Sequence, residues 1–213
     1  MLVLGFDTAT PAVSVALHDG DRVIAAASAL DARRHAELLV PMIAKILADV
    51  GASRDDLTAI AVGVGPGPYT GLRVGVVTAR VLGSVLRLPV SGVCSLDIIA
   101  ASAASAGPFL VATDARRKEV YWARYDPAGR RVAGPGVGRA SSVPDAADLP
   151  VAGAGGQLYP EAFGAPIGPV YPDAGALCDL VARPRTQLLA PEPLYLRRPD
   201  AREPGPPKRV TPL

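Results

Sequence analysis

"GPGPYTGLRVG", Gly65 to Gly75, sets four glycines and two prolines around one tyrosine, one threonine and one arginine. A helical pattern follows at once. Such a run is either a loop that cradles phosphate or a tight turn that lets two backbones pack closely. It is not a P-loop, because no Gly-Lys-Ser/Thr follows Gly65. Gly65, Gly67 and Gly71 are spaced G-x-G-x-x-x-G, out of phase with the dinucleotide fingerprint. Thr70 is placed to cap the helix that follows, whereas Arg73 in its first turn opposes the helix dipole. Packing or partner contact therefore outweighs phosphate binding as the reading of this stretch.

Working outward, "LTAIAVGVGPG" is a buried strand running into the loop, and "YTGLRVGVVTARVLGSVLRL" is a helix with Leu72, Val76, Ala79 and Leu82/Gly83 on one face. Upstream, "LVLGFDT", "AVSVALH" and "RVIAAAS" are short runs separated by turn formers, a strand meander. "ARRHAELLVPMIAKILADVG" places Leu39, Met42, Ile43, Ile46 and Val50 at helical spacing, with Gly51 as the stop. Pro41 should kink this helix or sit near its first turn. Downstream, "PVSGVC" reads as a strand and Ser95 to Ala106 as an Ala-rich helix. Strand–helix alternation of this kind predicts an α/β fold around a central sheet. Gly107-Pro108 marks a boundary, after which "FLVATDARRKEVYWARYD" is a second strand pair. Asp114 ends the first of these strands as Asp7 ends the opening one, a hint of duplicated halves. Beyond Gly129 the periodicity fades, leaving "ALCDLVAR" as a short helix and "PEPLYLR" as a last ordered stretch. These marks divide the chain into 1–106, 107–198 and a Pro-rich tail, 199–213, expected to be flexible.

The 213 residues suffice for one good core or two small ones, and 49% hydrophobic with 20% charged residues excludes wholesale disorder. A net charge of +2 is too small for a dedicated nucleic-acid binder. Cys94 and Cys178 stand in no metal-ligand spacing and read as buried reduced thiols. The N-terminus lacks a basic leader, and the uncharged run Ile98–Thr113 falls short of the ~20 strongly apolar residues of a spanning helix. A cytoplasmic protein with no membrane partner is expected.

Asp7, Thr8 and Thr10 fit the outline of a strand-end carboxylate with hydroxyls that could serve nucleotide and Mg²⁺. They fit equally the satisfaction of backbone groups at a strand end. His18, ending an alternating strand, reads as a solvated edge residue. His35 has Leu39 rather than a second ligand at i+4, so a helical metal site fails and a helix-surface or capping role is expected. No serine lies in a G-x-S-x-G elbow. The residues assemble no catalytic centre and no metal site.

"FDTATPAVSVAL" (6–17), "RRHAELLVPMI" (33–43), "GVGPGPYTGLRVG" (63–75), "DARRKEVYWARYD" (114–126) and the closing "LYLR" (194–197) together resemble the TsaB (YeaZ) family. Pro68 and Tyr69 stand where that family shows Ser and Phe, and Pro68 stiffens the loop. The resemblance implies a duplicated actin/sugar-kinase-like (ribonuclease H-like) fold with a smaller, less regular second half. It implies a non-catalytic partner of the TsaD-type enzyme in forming threonylcarbamoyladenosine beside the tRNA anticodon. TsaD carries two metal-binding histidines on the helix matching "RRHAELL", where only His35 remains here. The implied partners are a TsaD-like paralogue, a TsaE-like ATPase and, in isolation, a second copy. ATP and Mg²⁺ would be needed by the partner complex, with no cofactor held by this chain alone. A nucleotide-dependent kinase or ATPase using Asp7, Thr8 and Thr10 is the alternative, and a metallopeptidase a weaker one.

The helix from about Arg33 to Asp49 carries more apolar residues than one buried stripe requires, and the next helix offers small residues. The expected interface is a helical bundle made of His35, Leu38, Leu39, Met42, Ile43 and Ile46 with Tyr69, Leu72, Arg73, Gly75, Val76, Ala79 and Gly83. Replacing Gly75 or Ala79 by Leu is expected to abolish pairing while the monomer stays folded. Arg33, Arg34, Arg116, Arg117 and Lys118 read as a solvated charged face. The isolated chain is accordingly expected to bind tRNA weakly, tRNA being reached only through the complex. Filter binding across a salt series checks this, since tight binding with a steep log–log salt slope would show a phosphate-neutralising surface.

Overall fold

The computed structural model describes residues 1–184 and 186–197. The predicted tail, 199–213, lies outside the described residues. Two sheets carry the fold. β1 (Val3–Asp7), β2 (Ala12–His18), β3 (Val23–Leu30), β4 (Ala59–Gly63) and β5 (Val90–Val93) form the first, in the order β3-β2-β1-β4-β5. β6 (Phe109–Asp114), β7 (Glu119–Tyr125), β8 (Arg131–Arg139) and β9 (Val151–Ala152) form the second, in the order β8-β7-β6-β9.

The two sheets share one topology. β1 pairs antiparallel with β2 and parallel with β4, and β6 pairs antiparallel with β7 and parallel with β9. Asp7 and Asp114 therefore occupy matching places, and the echo between them reflects a duplicated plan. The second copy is reduced: among the described residues it has no counterpart of β5, and a two-residue β9 stands where β4 has five residues.

α1 (His35–Asp49) and α2 (Tyr69–Leu86) cover one face of the first sheet. Leu4, Phe6, Val15 and Leu17 point to that face and meet Leu39, Ile43, Ile46, Val76 and Ala79. α3 (Ser95–Ala101) and α5 (Ala174–Ala182) cover the other, where Ile98, Leu177 and Cys178 meet Val3, Ala16 and Ala61. Cover on both faces explains why β1 and β2 are buried throughout and read as near-continuous apolar runs. α3 also faces the second sheet, with Leu96 and Ile99 packed among Phe109, Val111 and Tyr125. A short α4 (Ala154–Leu158) follows β9. Among the described residues, no helix is long and apolar enough to cross a membrane.

Several expectations need correction. α5 follows the predicted boundary at Gly107-Pro108, yet it packs on β1 and β2, so the chain returns to the first half after building the second. α3 ends at Ala101, five residues short of the predicted stop. Pro41 lies in the second turn of α1, exposed, and offers no N–H to the Glu37 carbonyl. β8, with the sequence RVAGPGVGR, escaped the strand pattern because Gly134 and Pro135 interrupt it; as an edge strand it tolerates both. Cys94 and Cys178 are free and buried, and burial pushes both thiols up to about 12.

The helix face assigned to a partner is the chain's own core. Leu39, Ile43, Ile46, Leu72, Gly75, Val76, Ala79 and Gly83 are all buried within one subunit. A Cβ at Gly83 would stand 2.3 Å from Val90 Cγ2, and one at Gly75 would stand 2.5 Å from Thr8 Oγ1. Ala79→Leu overpacks this layer, at a cost of about 1–3 kcal/mol. The urea midpoint of the variant should fall accordingly, and an unchanged midpoint would show that the layer has room to spare.

Candidate functional site

β1 delivers Asp7 to a fully enclosed position where the glycine loop crosses it. Asp7 Oδ1 accepts the Ala9 N–H at 2.7 Å, and Oδ2 accepts the Ser95 hydroxyl at 2.5 Å. Ser95 Oγ also accepts the Gly65 N–H at 3.1 Å, and the Gly65 carbonyl accepts the Ser95 N–H at 2.7 Å. Ser95 thus staples the loop to the carboxylate. Gly63 lies against Asp7 so closely that a Cβ there would fall 1.7 Å from Oδ2.

The remaining loop glycines meet the next two residues. A Cβ at Gly67 would stand 2.2 Å from the Ala9 carbonyl oxygen, and one at Gly71 would stand 2.5 Å from that of Thr8. The Thr8 hydroxyl donates to the Gly71 carbonyl at 2.7 Å and accepts the Gly75 N–H at 3.0 Å. In a regular α-helix those two groups bond to each other. The opening stretch is therefore a close-packing turn, which answers the question it posed.

Of the three residues proposed for nucleotide, Asp7 is removed from that role. It is 1% exposed, both carboxylate oxygens are occupied, and it does not border the cleft that the β1–β2 turn forms with the starts of α1 and α2. Thr8 and Thr10 do border that cleft, of about 220 Å³, together with Pro11, Arg33, Thr70 and Arg116. Thr10 Oγ1 accepts the Ala12 N–H at 3.3 Å. Thr70 does not cap α2, since Pro68 is the N-cap and Thr70 lies inside the first turn.

Both histidines are buried, contrary to expectation. His35 Nε2–H donates to the Thr10 carbonyl at 2.7 Å and ties the start of α1 to the β1–β2 turn. His18 is wholly covered by α5: its Nε2 lies 3.0 Å from Asp179 Oδ1, and its Nδ1 accepts the Gly20 N–H at 3.0 Å. Among the described residues no group of three or more His, Cys, Asp or Glu could hold a metal ion.

The side of α2 that faces away from the sheet is the second feature. Tyr69, Arg73, Val77, Val81 and Val85 recur at every fourth residue, and the three valines are 52%, 55% and 70% exposed. Arg73 Nη1–H donates to the Tyr69 hydroxyl at 2.7 Å, with its guanidinium 4.8 Å from the Tyr69 ring centroid. Tyr69 stacks on Tyr195 at 5.2 Å. Arg73 is exposed and has the hydroxyl and the ring of Tyr69 as partners. On α1, Val40 is exposed, and Leu38 and Met42 are half-buried. Of the predicted interface residues, only Tyr69, Arg73, Leu38 and Met42 reach the surface. Val77, Val81 and Val85 were missed, although their i+4 recurrence was visible in the sequence.

The basic residues of the expected charged face are exposed. Arg34 pairs with Asp31 at 2.7 Å, and Arg116 lies 3.6 Å from Asp114. Arg116, Arg117 and Lys118 form the tip between β6 and β7, with φ of 62°, 54° and 62°. Three successive side-chain-bearing residues in the left-handed region are uncommon.

The family described as "TsaD: tRNA N6-adenosine threonylcarbamoyltransferase" matches residues 28–154. The structure of YeaZ from Pseudomonas aeruginosa superposes with a TM-score of 0.73 and 32% identity, over 92% of this chain and 99% of that one. The chain belongs to the TsaB (YeaZ) family. The Escherichia coli tRNA threonylcarbamoyladenosine biosynthesis protein TsaB is 42% identical over 128 residues, 59% of this chain and 55% of that protein. An uncharacterized Mycobacterium leprae protein is 44% identical over 206 residues, 94% of this chain and 56% of its own length. The matched region thus spans just over half of each of these two relatives.

Burial holds the Asp7 carboxyl above its ordinary value of 3.8, against the pull of Ser95, the Ala9 amide and His35. An acid raised in this way binds more protons folded than unfolded. Its stabilisation is fully present below the unfolded pKa and is lost as pH rises through the folded one. Asp7→Asn removes that loss and can keep hydrogen bonds to Ala9 and Ser95. The variant should outlast the parent in urea at neutral pH, with the gap closing toward about pH 4. A variant weaker than its parent at neutral pH would show that the carboxylate's hydrogen bonds outweigh its desolvation.

Proposed function

We propose that this chain serves threonylcarbamoyladenosine formation on tRNA as a non-catalytic subunit that docks a TsaD-type enzyme. The E. coli relative's name supplies the pathway, and the match to the TsaD family supplies a partner of related architecture. The carrying observation is the outer stripe of α2. An apolar run from Val77 to Val85 left in water is costly for a monomer and marks a protein partner. A partner built on the same plan can present the equivalent helix, so that two stripes face each other. Val40, Leu38 and Met42 on α1 would widen the contact. A second copy would use the same face when the partner is missing, and a TsaE-like ATPase would join the assembled pair. ATP and Mg²⁺ belong to that complex, and tRNA is reached through it.

A non-catalytic role is supported by how the polar groups are spent. Asp7, Thr8, Ser95 and His35 bond to one another's elements and hold the loop, the strand end and both helices together. The kinase or ATPase reading requires Asp7 to leave its enclosure. The metallopeptidase reading requires a second ligand where Leu39 is fully buried in the core. Assays of ATP turnover and metal content on the purified chain discriminate these readings, and turnover abolished by Asp7→Ala would support the kinase.

Val77→Asp and Val81→Asp place a charge on the stripe without touching the core. Each should weaken pairing with a TsaD-type partner about 30-fold or more, the scale of a hot-spot loss near 2 kcal/mol. Threonylcarbamoyladenosine yield should fall in parallel, read by nucleoside mass spectrometry after reconstitution. Folded variants that pair and support modification at the parental level would place the interface elsewhere.

A further inference from the structure

Residues 186–197 form neither helix nor regular strand, yet they are fastened along their length to both halves. Thr186 Oγ–H donates to Asp97 Oδ2 at 2.8 Å. Leu189 exchanges both backbone hydrogen bonds with Gly92 of β5, each at 2.8 Å, at the otherwise free edge of the first sheet. Leu194 N–H donates to the Val64 carbonyl at 2.8 Å, beside the glycine loop. Tyr195 lies on Tyr69 of α2. Arg197 then crosses to the second half, where Nη1 donates to the Ala115 carbonyl at 3.0 Å and Nη2 pairs with Glu119.

The starting point of this segment is itself a junction. Asp97, on α3 and 4% exposed, also accepts the Tyr125 hydroxyl of β7 at 2.7 Å and lies 3.5 Å from Arg131 Nε of β8. Leu189 and Leu194 pack against the core beneath α1 and α2 and against the core between α3 and the second sheet. The cleft between the halves has Pro11 and Pro68 on one wall and Asp114, Arg116, Leu158 and Tyr171 on the other. Any change in its width moves the β6–β7 tip relative to α2.

We propose that residues 186–197 are a strap that holds the second half at a fixed angle to the first, with Arg197 as its clasp and Asp97 as its anchor. The strap follows the first sheet and ends on the second, so opening the cleft must break the Arg197 contacts or peel Leu189 from β5. Breaking charge-assisted and buried hydrogen bonds is the costly step, and the half-buried Arg197–Glu119 pair keeps part of its strength from solvent screening. Of the strap's contacts named above, the stacking of Tyr195 on Tyr69 is the one that lies on the outer stripe of α2.

The test uses the full chain with spin labels on Ala44→Cys in α1 and Val132→Cys in β8, both exposed positions. Cys94 and Cys178 are wholly buried and escape labelling. Double electron–electron resonance should give one narrow distance peak for the doubly labelled parent. Adding Thr186→Val with Arg197→Ala should broaden or shift that peak while the circular dichroism spectrum stays native. Glu119→Gln weakens the clasp from the other side and serves if the first combination does not fold. In it, amide exchange at Leu189 and Leu194 should quicken by about tenfold, as expected when a local opening loses one such bond. A broad peak in the parent overturns the proposal. So do folded variants that keep the parental width and the parental exchange rates.

Discussion

The hydroxyl of Thr8, set between the Gly71 carbonyl and the Gly75 amide, fixes where α2 lies on the sheet. It can reach both groups only because neither glycine carries a Cβ, and the same bareness at Gly63 and Gly67 lets Asp7 and Ala9 close in. Once the start of α2 is pinned there, Leu72, Val76 and Ala79 fall on the sheet, and Tyr69, Val77 and Val81 are turned outward. The surface offered to a partner follows from a contact made at a strand end several residues away. Ser95 extends the same knot to α3, and α3 carries it on to the second sheet through Asp97.

Much of this was legible from residue spacing. The β1–β2–β3 meander, α1 from the Leu39–Ile43–Ile46 stripe, and the β6–β7 pair came directly from periodicity and turn formers. The matching of Asp7 with Asp114 announced the duplication. What spacing could not decide was which face of α2 is covered. Small residues at Gly75, Ala79 and Gly83 suit close approach by anything, and only the placement of β4 and β5 shows that the approaching body is the chain's own sheet. His18 looked exposed because α5, which covers it, lies some 160 residues later in the sequence. Past Gly129 the second half is built from β8, broken by Gly134 and Pro135, and a two-residue β9. Glycine and proline interrupt the alternation of the nine-residue β8, and β9 is too short to leave a periodic trace.

The candidate site shows the same division. The types of residue were readable: a strand-end acid, hydroxyls beside it, a glycine turn after it. Their roles depended on partners distant in sequence. Ser95 is 88 residues from Asp7, and nothing local marks it as the group that occupies the carboxylate. With the Ala9 amide on one oxygen and the Ser95 hydroxyl on the other, Asp7 ties the strand end to the glycine loop and to α3.

The two sheets also end differently on their outer sides. β8 carries Pro135 and a left-handed Gly134 at mid-strand, which spoil the row of donors and acceptors that another strand would need. β3 has no such protection: "VIAAASAL" holds neither charge nor proline along its eight residues, and it is the outermost strand of its sheet. Its defence is geometric, since α1 and α5 both rest against it. When heat or denaturant lifts either helix, this strand is the one exposed as a template for self-association, so the first aggregates of the unfolding chain should grow in register from β3.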